Sequence, residues 1–363
     1  MASKSRHKEY AIILSLITLP ILFALQHSHN LLIVILLNLL SLCAIIFSAF
    51  SVVRHADVLA HRLGEPYGAL VLSLSVVILE VSLISVIMAS GGAEPTLMRD
   101  TIYSIIMIVI GGLVGLALLI GGRKFETQRV NLGGIKQYLM AIVPLAVIVL
   151  VLPAALPAQN FSTTQKIIVA VISAAMYAVF LIIQTKTHQQ LFIYEDEDEE
   201  CDDKGKSTKK RSGHSNLWHA LFLLIHLVCV IAVTKANSAP LDYLLHKLNA
   251  PAPFTGFLVA LLILSPEGLG ALKAVIKNQV QRAMNIFFGS VLATISLTVP
   301  TVSLIAIVTG QSIEFALSIP NIVIMVTMLI LSIISFGTGR TNQLNGTAHL
   351  TVFVVYIMIL LNI

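Results

Sequence analysis

Residues 64–92, GEPYGALVLSLSVVILEVSLISVIMASGG, contain the pattern from which the architecture of this chain is predicted. The segment is apolar over the roughly 20 residues that a helix needs to cross a bilayer. Near its middle it carries one carboxylate, Glu80. An ionised carboxylate at that depth costs roughly 3 kcal/mol on insertion scales, and such residues are usually kept for ion or proton handling. Glu80 therefore indicates a function as well as a membrane helix.

A second apolar segment, between Thr255 and Val275, repeats this arrangement far downstream. Glu267 lies within LSPEG at 264–268, again close to the middle of the segment. Pro266 lacks a backbone donor and leaves a carbonyl free one turn earlier. A free carbonyl beside a carboxylate suits a dehydrated cation, so we predict that Glu80 and Glu267 together bind the cation.

The composition excludes an ordinary soluble domain. Of 363 residues, 57% are hydrophobic and 11% charged, and the mean hydropathy is +0.91, which is typical of a polytopic membrane protein. We predict an all-α fold with about eleven transmembrane helices. The apolar segments cover residues 10–26, 31–52, 66–90, 101–121, 137–156, 166–185, 216–234, 254–276, 283–309, 314–336 and 347–363.

The first segment is short and contains Pro20, and three basic residues precede it. Because no small-residue cleavage site follows, we interpret residues 1–30 as a retained N-terminal helix rather than a signal peptide, with a simple anchor as the favoured role. The three cysteines form no spaced motif, so neither a disulfide framework nor a zinc site is predicted. No cofactor is expected.

The excess of basic residues reflects orientation in the lipid bilayer rather than nucleic-acid binding. With a cytoplasmic N-terminus, 19 of the 23 Lys and Arg residues fall on the cytoplasmic side. The positive-inside rule then predicts that the N-terminus is cytoplasmic and the C-terminus outside.

Five segments within residues 31–186 and five within 216–363 predict two repeats joined by a loop at 187–215. Because five is odd, the second repeat enters from the opposite side, which places a substrate site at the midplane between the repeats. The loop carries an acidic run at 195–200 and a basic cluster at 204–211, both typical of solvated, disordered chain. A role in concentrating or sensing cations is the alternative.

Two other groups of polar residues have competing interpretations. His55, Asp57 and His61 have roughly the spacing of one helical face, so a metal or proton site is conceivable, but an interfacial helix at the lipid headgroups is favoured. His226, in the middle of the seventh apolar segment, is predicted to be hydrogen-bonded to a neighbouring helix. A proton relay is the alternative.

Further polar side chains are predicted as oxygen ligands beside the two glutamates. Ser73 lies seven residues before Glu80 and therefore shares its helix face. The remaining candidates belong to the eighth and ninth segments: Ser265, Asn285, Ser290 and Thr294.

Two longer runs, FSVVRHADVLAHRLGEPYG at 50–68 and LSPEGLGALK at 264–273, resemble the ChaA-type bacterial cation/proton antiporters, a branch of the calcium/proton exchangers. The resemblance covers nearly the whole chain. It implies a sodium/calcium-exchanger-like protein of the bacterial inner membrane that expels calcium, and in this branch sodium or potassium, in exchange for protons.

In the wider family each repeat carries a Gly-Asn-Ala-x-Glu motif whose glutamate binds the cation, and those glutamates match Glu80 and Glu267. This chain departs from the motif, with VVILE at 76–80 and ILSPE at 263–267. Both glycine-asparagine pairs are missing. The resemblance therefore implies neither the family's amide ligands nor a strict calcium preference here.

The two carboxylates suggest a mechanism of mutual exclusion. A calcium ion or two protons would neutralise both glutamates, whereas sodium or potassium could pair with one while the other stays protonated. Only near-neutral forms should cross, because an empty dianionic site carries a large desolvation cost. The alternatives are a sodium or potassium/proton antiporter with little calcium transport, or a cation channel. Whether the chain forms a homo-oligomer stays open.

Overall fold

Eleven helices make up the described part of the chain, which comprises residues 9–28, 30–63, 67–89, 95–192 and 215–362 of a computed structural model. The side chains of residues 60, 61, 67–73 and 89 lie outside that description. The helices are α1 (Tyr10–Leu25), α2 (Leu31–Leu63), α3 (Tyr67–Ala89), α4 (Leu97–Phe125), α5 (Leu132–Ala155), α6 (Thr163–Thr187), α7 (Asn216–Lys247), α8 (Pro253–Ile276), α9 (Val280–Thr309), α10 (Ile319–Phe336) and α11 (Gln343–Leu360).

The predicted all-α membrane fold is confirmed. Within the described ranges, nine helices are long and apolar enough to cross a membrane, and α1 and residues Leu74–Met88 of α3 are shorter apolar helices. The acidic and basic runs of the 187–215 loop lie outside the described residues, so the predictions made for them stay predictions.

Helix α7 is longer than its apolar segment, because polar side chains of α2 hydrogen-bond to polar groups in the second half of α7. The side chains of Asn38 and Ser41 on α2 hydrogen-bond to Asn237, and Asn38 also donates to the carbonyl of Pro240. Burial of these groups is tolerated since each has a partner. The helix therefore continues to Lys247 instead of ending near residue 234.

Residues 54–62 belong to α2 rather than forming a helix of their own, and the favoured interpretation that this segment meets lipid headgroups stays a prediction. These residues continue α2 without a break to Leu63. His55 is fully buried against α7, because its ring nitrogens find polar partners on neighbouring helices. Asp57 is exposed, and the side chain of His61 lies outside the described residues.

Several helix ends follow from local sequence. Ser162 and Gln165 form a reciprocal capping box at the start of α6, and Asn342 and Asn345 do the same for α11. Such caps satisfy backbone N–H groups that have no partner inside the helix. At the end of α9, Gly310 takes a left-handed conformation with φ 71°, which glycine adopts without a Cβ penalty.

Helix α4 lies at the centre of the bundle and α6 at its periphery. In the most apolar 18 residues of each, 78% are buried in α4 but only 22% in α6. Two glycines of α8 permit close contact with α4: a Cβ at Gly256 would lie 2.8 Å from the backbone of Asp100 and Thr101, and one at Gly268 would lie 3.0 Å from Leu113. Small residues at a membrane helix interface allow such approach.

Wide, π-helical turns interrupt four of these helices. Those in α4 and α9, at Met107–Leu113 and Thr294–Thr298, lie deep within long helices. Such turns free backbone groups and shift the register of the side chains, and they are frequent at functional sites. Those of α5 and α6 span Val147–Val151 and Ile183–Thr187.

Two connections that follow even-numbered helices meet on one side of the bundle, and two that follow odd-numbered helices meet on the other. The short antiparallel strands β1 (Gln128–Arg129) and β2 (Arg340–Thr341) join the α4–α5 and α10–α11 connections. On the other side, the backbone N–H of Glu314 donates to the carbonyl of Pro95, linking the α9–α10 and α3–α4 connections. This pairing is what alternately directed spanning helices require.

Candidate cation site

Glu80 lies in the middle of α3 and is completely buried. Its Oε2 accepts a 2.8 Å hydrogen bond from Thr294 Oγ1, at the first residue of the wide turn in α9. Its Oε1 is buried and has no hydrogen-bond partner among the described residues. A buried carboxylate with one orphaned oxygen must be neutralised by a proton or a cation, since an uncompensated buried charge is very costly.

Glu267 has a similar deficit. It projects from α8, its Oε2 is buried without a hydrogen-bond partner in the described chain, and its carboxylate interacts electrostatically with that of Glu80. Ser290 of α9 lies beside this carboxylate, and the Ser290 hydroxyl is itself buried without a partner among described residues. The two glutamates and these hydroxyls together form a polar site in an apolar bundle.

A cavity of about 200 Å³, the inner cavity, lies between α3, α5, α6, α8 and α9 and reaches Glu267 but not Glu80. Glu267 lines it directly, and Thr294, which hydrogen-bonds to Glu80, lines it as well. Glu80 therefore lies behind Thr294, whereas Glu267 faces the open space. The other lining residues are Val76, Val77, Tyr138, Tyr177, Phe180, Gln184, Arg282, Asn285, Ile286, Gly289, Ser290 and Ala293.

A second cavity of about 220 Å³, the mouth cavity, also reaches Glu267. It is lined by the exposed side chains of Lys273 and Lys277 and by Gln279, so it opens beside the α8–α9 connection. Arg282 lines both cavities. An ion entering from this side meets Glu267 before it reaches Glu80.

Of the predicted ligands, Asn285, Ser290 and Thr294 line the inner cavity. The Asn285 amide is already engaged: it donates to the carbonyl of Phe192 and accepts from Gln281. Ser265 does not line either cavity, and its hydroxyl donates to Leu261 of its own helix. The side chain of Ser73 lies outside the described residues.

The sequence interpretation missed several residues of the two cavities. Arg282 was used only to assign orientation, yet it precedes Asn285, Gly289 and Ala293 on one face of α9. That spacing was a usable signal. Tyr138 and Gln184, hydrogen-bonded to each other at 3.0 Å, come from α5 and α6, in which the sequence analysis named no candidate ligand.

The described donor set of this site consists of oxygen atoms: two carboxylates, the hydroxyls of Ser290 and Thr294, and the buried hydroxyl of Thr298, which lies beside Glu80. Carboxylate and hydroxyl oxygens suit hard cations such as Na⁺, K⁺ and Ca²⁺. No imidazole or thiolate lines the two cavities among the described residues.

A multi-pass helical bundle with two acids in its apolar interior, beside a cavity, is typical of the class of secondary transporters. The chain belongs to the sodium/calcium exchanger family, whose sequence profile it matches over residues 33–186 and 218–362. The chain is therefore a transporter of the antiporter type and not an enzyme.

Individual relatives agree with this assignment. The chain is 67% identical over 357 residues to the sodium-potassium/proton antiporter ChaA of Escherichia coli (strain K12), covering 98% of this chain and 97% of that protein. The structure is similar to that of YfkE, with a TM-score of 0.74, 17% identity and coverage of 97% and 100%. It also resembles the H⁺/Ca²⁺ exchanger CAX, with a TM-score of 0.72, 16% identity and coverage of 98% and 89%.

Proposed function

We propose that this chain exchanges cations for protons at the pair Glu80 and Glu267. The observation that carries the proposal is the pair of buried carboxylates, one on α3 and one on α8, each with an oxygen that has no hydrogen-bond partner among described residues. Neither acid has a fixed positive partner at hydrogen-bonding distance in the described chain. Only a mobile cation or a proton can then neutralise the site.

Exchange follows from competition at one site. With both acids protonated, or with one divalent ion bound between two carboxylates, the site is neutral. With one Na⁺ or K⁺ bound to one carboxylate and a proton on the other, it is neutral again. The doubly ionised empty site is costly to bury, so the conformational change that re-exposes the site proceeds when protons or cations are bound. Cation movement one way thereby requires proton movement the other way.

For the cation we propose Na⁺ and K⁺, with Ca²⁺ binding at the same site. The named activity of the Escherichia coli relative supports the monovalent ions. Ca²⁺ takes six to eight oxygen ligands, and the missing family asparagines leave fewer protein oxygens for it than a calcium-dedicated site offers. The structural similarity to CAX, an H⁺/Ca²⁺ exchanger, and the oxygen-only donor set support Ca²⁺ as a further substrate.

We also propose that residues 31–186 and 216–363 are inverted repeats joined by 187–215, with residues 1–30 as an extra N-terminal helix. The two segments matched by the family profile support this division, as do the paired wide turns in α4 and α9. The basic residues around the α8–α9 connection support a cytoplasmic mouth cavity. In that orientation, in a bacterial plasma membrane, the cation site opens toward the cytoplasm in this conformation.

The test is reconstitution of the purified chain in liposomes with a pH indicator inside. Addition of Na⁺, K⁺ or Ca²⁺ outside should drive proton efflux in the parent protein, and the double variant E80Q/E267Q should show none. Cation flux without proton movement would instead establish a channel. Unchanged exchange in the double variant would refute the site. Glu314→Gln, an exposed acid in the α9–α10 connection, is the matched control and should behave as the parent.

A further inference from the structure

A second polar cluster lies between α1, α2 and α7, among residues to which the exchange mechanism assigns no role. Glu9, which precedes α1, places its Oε2 2.8 Å from Nε2 of His226 and its Oε1 3.5 Å from Nε2 of His55. The side chains of His226, His55 and Glu9 are 0%, 1% and 12% exposed. Three metal-ligating side chains from three helical regions therefore converge in a nearly closed site.

The cluster includes a further histidine of α7, His219, and an aromatic ring, Trp218, packs against it. His55 Nδ1 lies 2.9 Å from Nδ1 of His219, so one of these two nitrogens carries the shared proton. Trp218 lies over the same group, with its ring centre 5.3 Å from that of His55. An interaction at Nδ1 fixes the orientation of the His55 ring and directs its Nε2 toward Glu9, as second-layer contacts do for metal-binding histidines.

Two polar atoms of the cluster have no hydrogen-bond partner among the described residues. They are Glu9 Oε1 and His226 Nδ1, both buried. Orphaned polar atoms in such a site call for an explanation, of which an absent ion is one. Since Glu9 Oε1 is buried and lies 3.5 Å from Nε2 of the buried His55, the orphaned carboxylate oxygen lies inside the cluster rather than at the surface.

We propose that Glu9, His55 and His226 bind a divalent transition metal ion such as Zn²⁺ or Co²⁺. With bonds of about 2.0–2.1 Å, the ligand atoms around tetrahedral zinc lie about 3.3 Å apart. The distances from Glu9 Oε2 to His226 Nε2 and from Glu9 Oε1 to His55 Nε2, 2.8 and 3.5 Å, lie on either side of that value. One ligand atom from each of the three residues lies within 4.8 Å of the other two. Two imidazoles and one carboxylate favour such a metal over Na⁺, K⁺ or Ca²⁺.

Arg54 is the natural competitor for this site. Its Nη2 donates to Glu9 Oε2 at 2.7 Å and lies 3.3 Å from His55 Nε2, so the guanidinium occupies one side of the same ligands. The Arg54 side chain is 37% exposed and can therefore turn toward solvent when a metal binds. The site thus has two states, one closed by the arginine and one by the metal. Both fasten the start of α1 to α2 and α7.

The test uses the purified full-length protein and its single tryptophan, Trp218, as the reporter. Titration with Co²⁺ should quench Trp218 fluorescence saturably and produce a ligand-field absorption band, and Zn²⁺ should displace the Co²⁺. Glu9→Gln and His226→Gln should each weaken binding about 10-fold or more. Arg54→Gln should instead tighten it several-fold, because the competing cation is removed.

A metal site predicts that Arg54→Gln binds Co²⁺ more tightly than the parent, whereas Glu9→Gln binds it more weakly. If Glu9, Arg54 and the histidines form only a structural ion pair, Arg54→Gln should not bind Co²⁺. His246 is an exposed histidine of α7, the helix that carries His226. His246→Gln is therefore the matched control and should bind Co²⁺ as the parent does. Glu267→Gln should also bind normally, which separates this site from the exchange site. The proposal would be overturned if neither the parent nor Arg54→Gln bound Co²⁺ saturably. It would also be overturned if Glu9→Gln bound Co²⁺ as tightly as the parent. Should His226→Gln fail to fold, Glu9→Gln decides.

Discussion

The wide turns of α4 and α9 occupy comparable positions in the two halves but present opposite chemistry. The turn in α9, Thr294–Thr298, reads TISLT and brings hydroxyls to Glu80. The turn in α4, Met107–Leu113, reads MIVIGGL and brings only apolar side chains, with Leu113 packed against the Gly268 position of α8. Both helices contain a wide turn, but the surroundings of the two glutamates differ.

This difference assigns unequal roles to the two acids. Glu80 is enclosed and oriented by Thr294, so it is the fixed member of the pair. Glu267 faces both cavities, and its Oε2 has no hydrogen-bond donor among the described residues, so it is the member that first meets an incoming ion. The two acids therefore differ in their surroundings although each lies in a spanning helix of its own half of the chain.

The largest expected effect is the loss of either carboxylate alone. Glu80→Gln or Glu267→Gln should lower cation-driven proton flux about 100-fold or more, since removing one partner of a buried charged site costs about 3–5 kcal/mol and each 1.4 kcal/mol is about tenfold. The measurement is initial flux in proteoliposomes. If one variant alone retained parental exchange, the two acids would not act as a pair.

The next effect concerns the orienting hydroxyl. Thr294→Val keeps the shape of the side chain but removes the donor to Glu80, and a hydrogen bond to a charged group contributes about 1.5–3 kcal/mol. Apparent cation affinity should fall about 10-fold or more, as read from the cation dependence of proton flux. Thr294→Ser restores the hydroxyl and should recover most of the affinity. If Thr294→Val and Thr294→Ser had the same apparent cation affinity, the hydrogen bond from residue 294 to Glu80 would have no role in cation binding.

A smaller effect is expected at Ser290, which lies beside Glu267 and lines the inner cavity. Ser290→Ala should weaken apparent cation affinity about 2- to 10-fold, the range for one neutral hydrogen-bonding group. The matched control is Ser265→Ala, whose hydroxyl is engaged with Leu261 and which should behave as the parent. A stronger effect from Ser265 than from Ser290 would reverse the assignment of the two serines.

The smallest effect is electrostatic and concerns the entrance. Arg282→Gln removes a positive charge that lines both cavities, so apparent cation affinity should rise about 2- to 3-fold at low salt, in line with the small energies of exposed charges. Screening should reduce the gain as ionic strength increases. Arg123→Gln, exposed at the end of α4, is the control. A gain that did not depend on salt would exclude this electrostatic explanation.

The sequence was sufficient to predict the spanning helices, since each apolar segment is long enough to identify without its neighbours. It also identified Glu80 and Glu267, because a charge in an apolar segment is conspicuous. It failed for residues whose role depends on neighbours distant in the chain. The partners of His55, which are Glu9 and His226, lie 46 and 171 positions away from it in the chain.

The expectation that His226 is hydrogen-bonded to a neighbouring region is confirmed, with Glu9 as the partner. Its predicted depth in the membrane stays a prediction. It lies ten residues into α7 and contacts Glu9, which directly precedes α1. Hydropathy gives the length of an apolar segment but not where a 32-residue helix sits relative to shorter neighbours.

The amino-acid order alone established that the chain is an all-helical membrane protein with an acid buried in each half, because the cost of placing a charge in hydrocarbon can be read from one segment at a time. Only the three-dimensional packing decided which hydroxyls face those acids, that Glu267 rather than Glu80 faces the open cavities, and that Glu9 meets two histidines. These facts depend on the rotation and register of helices that are far apart in the sequence, and tertiary contacts fix both.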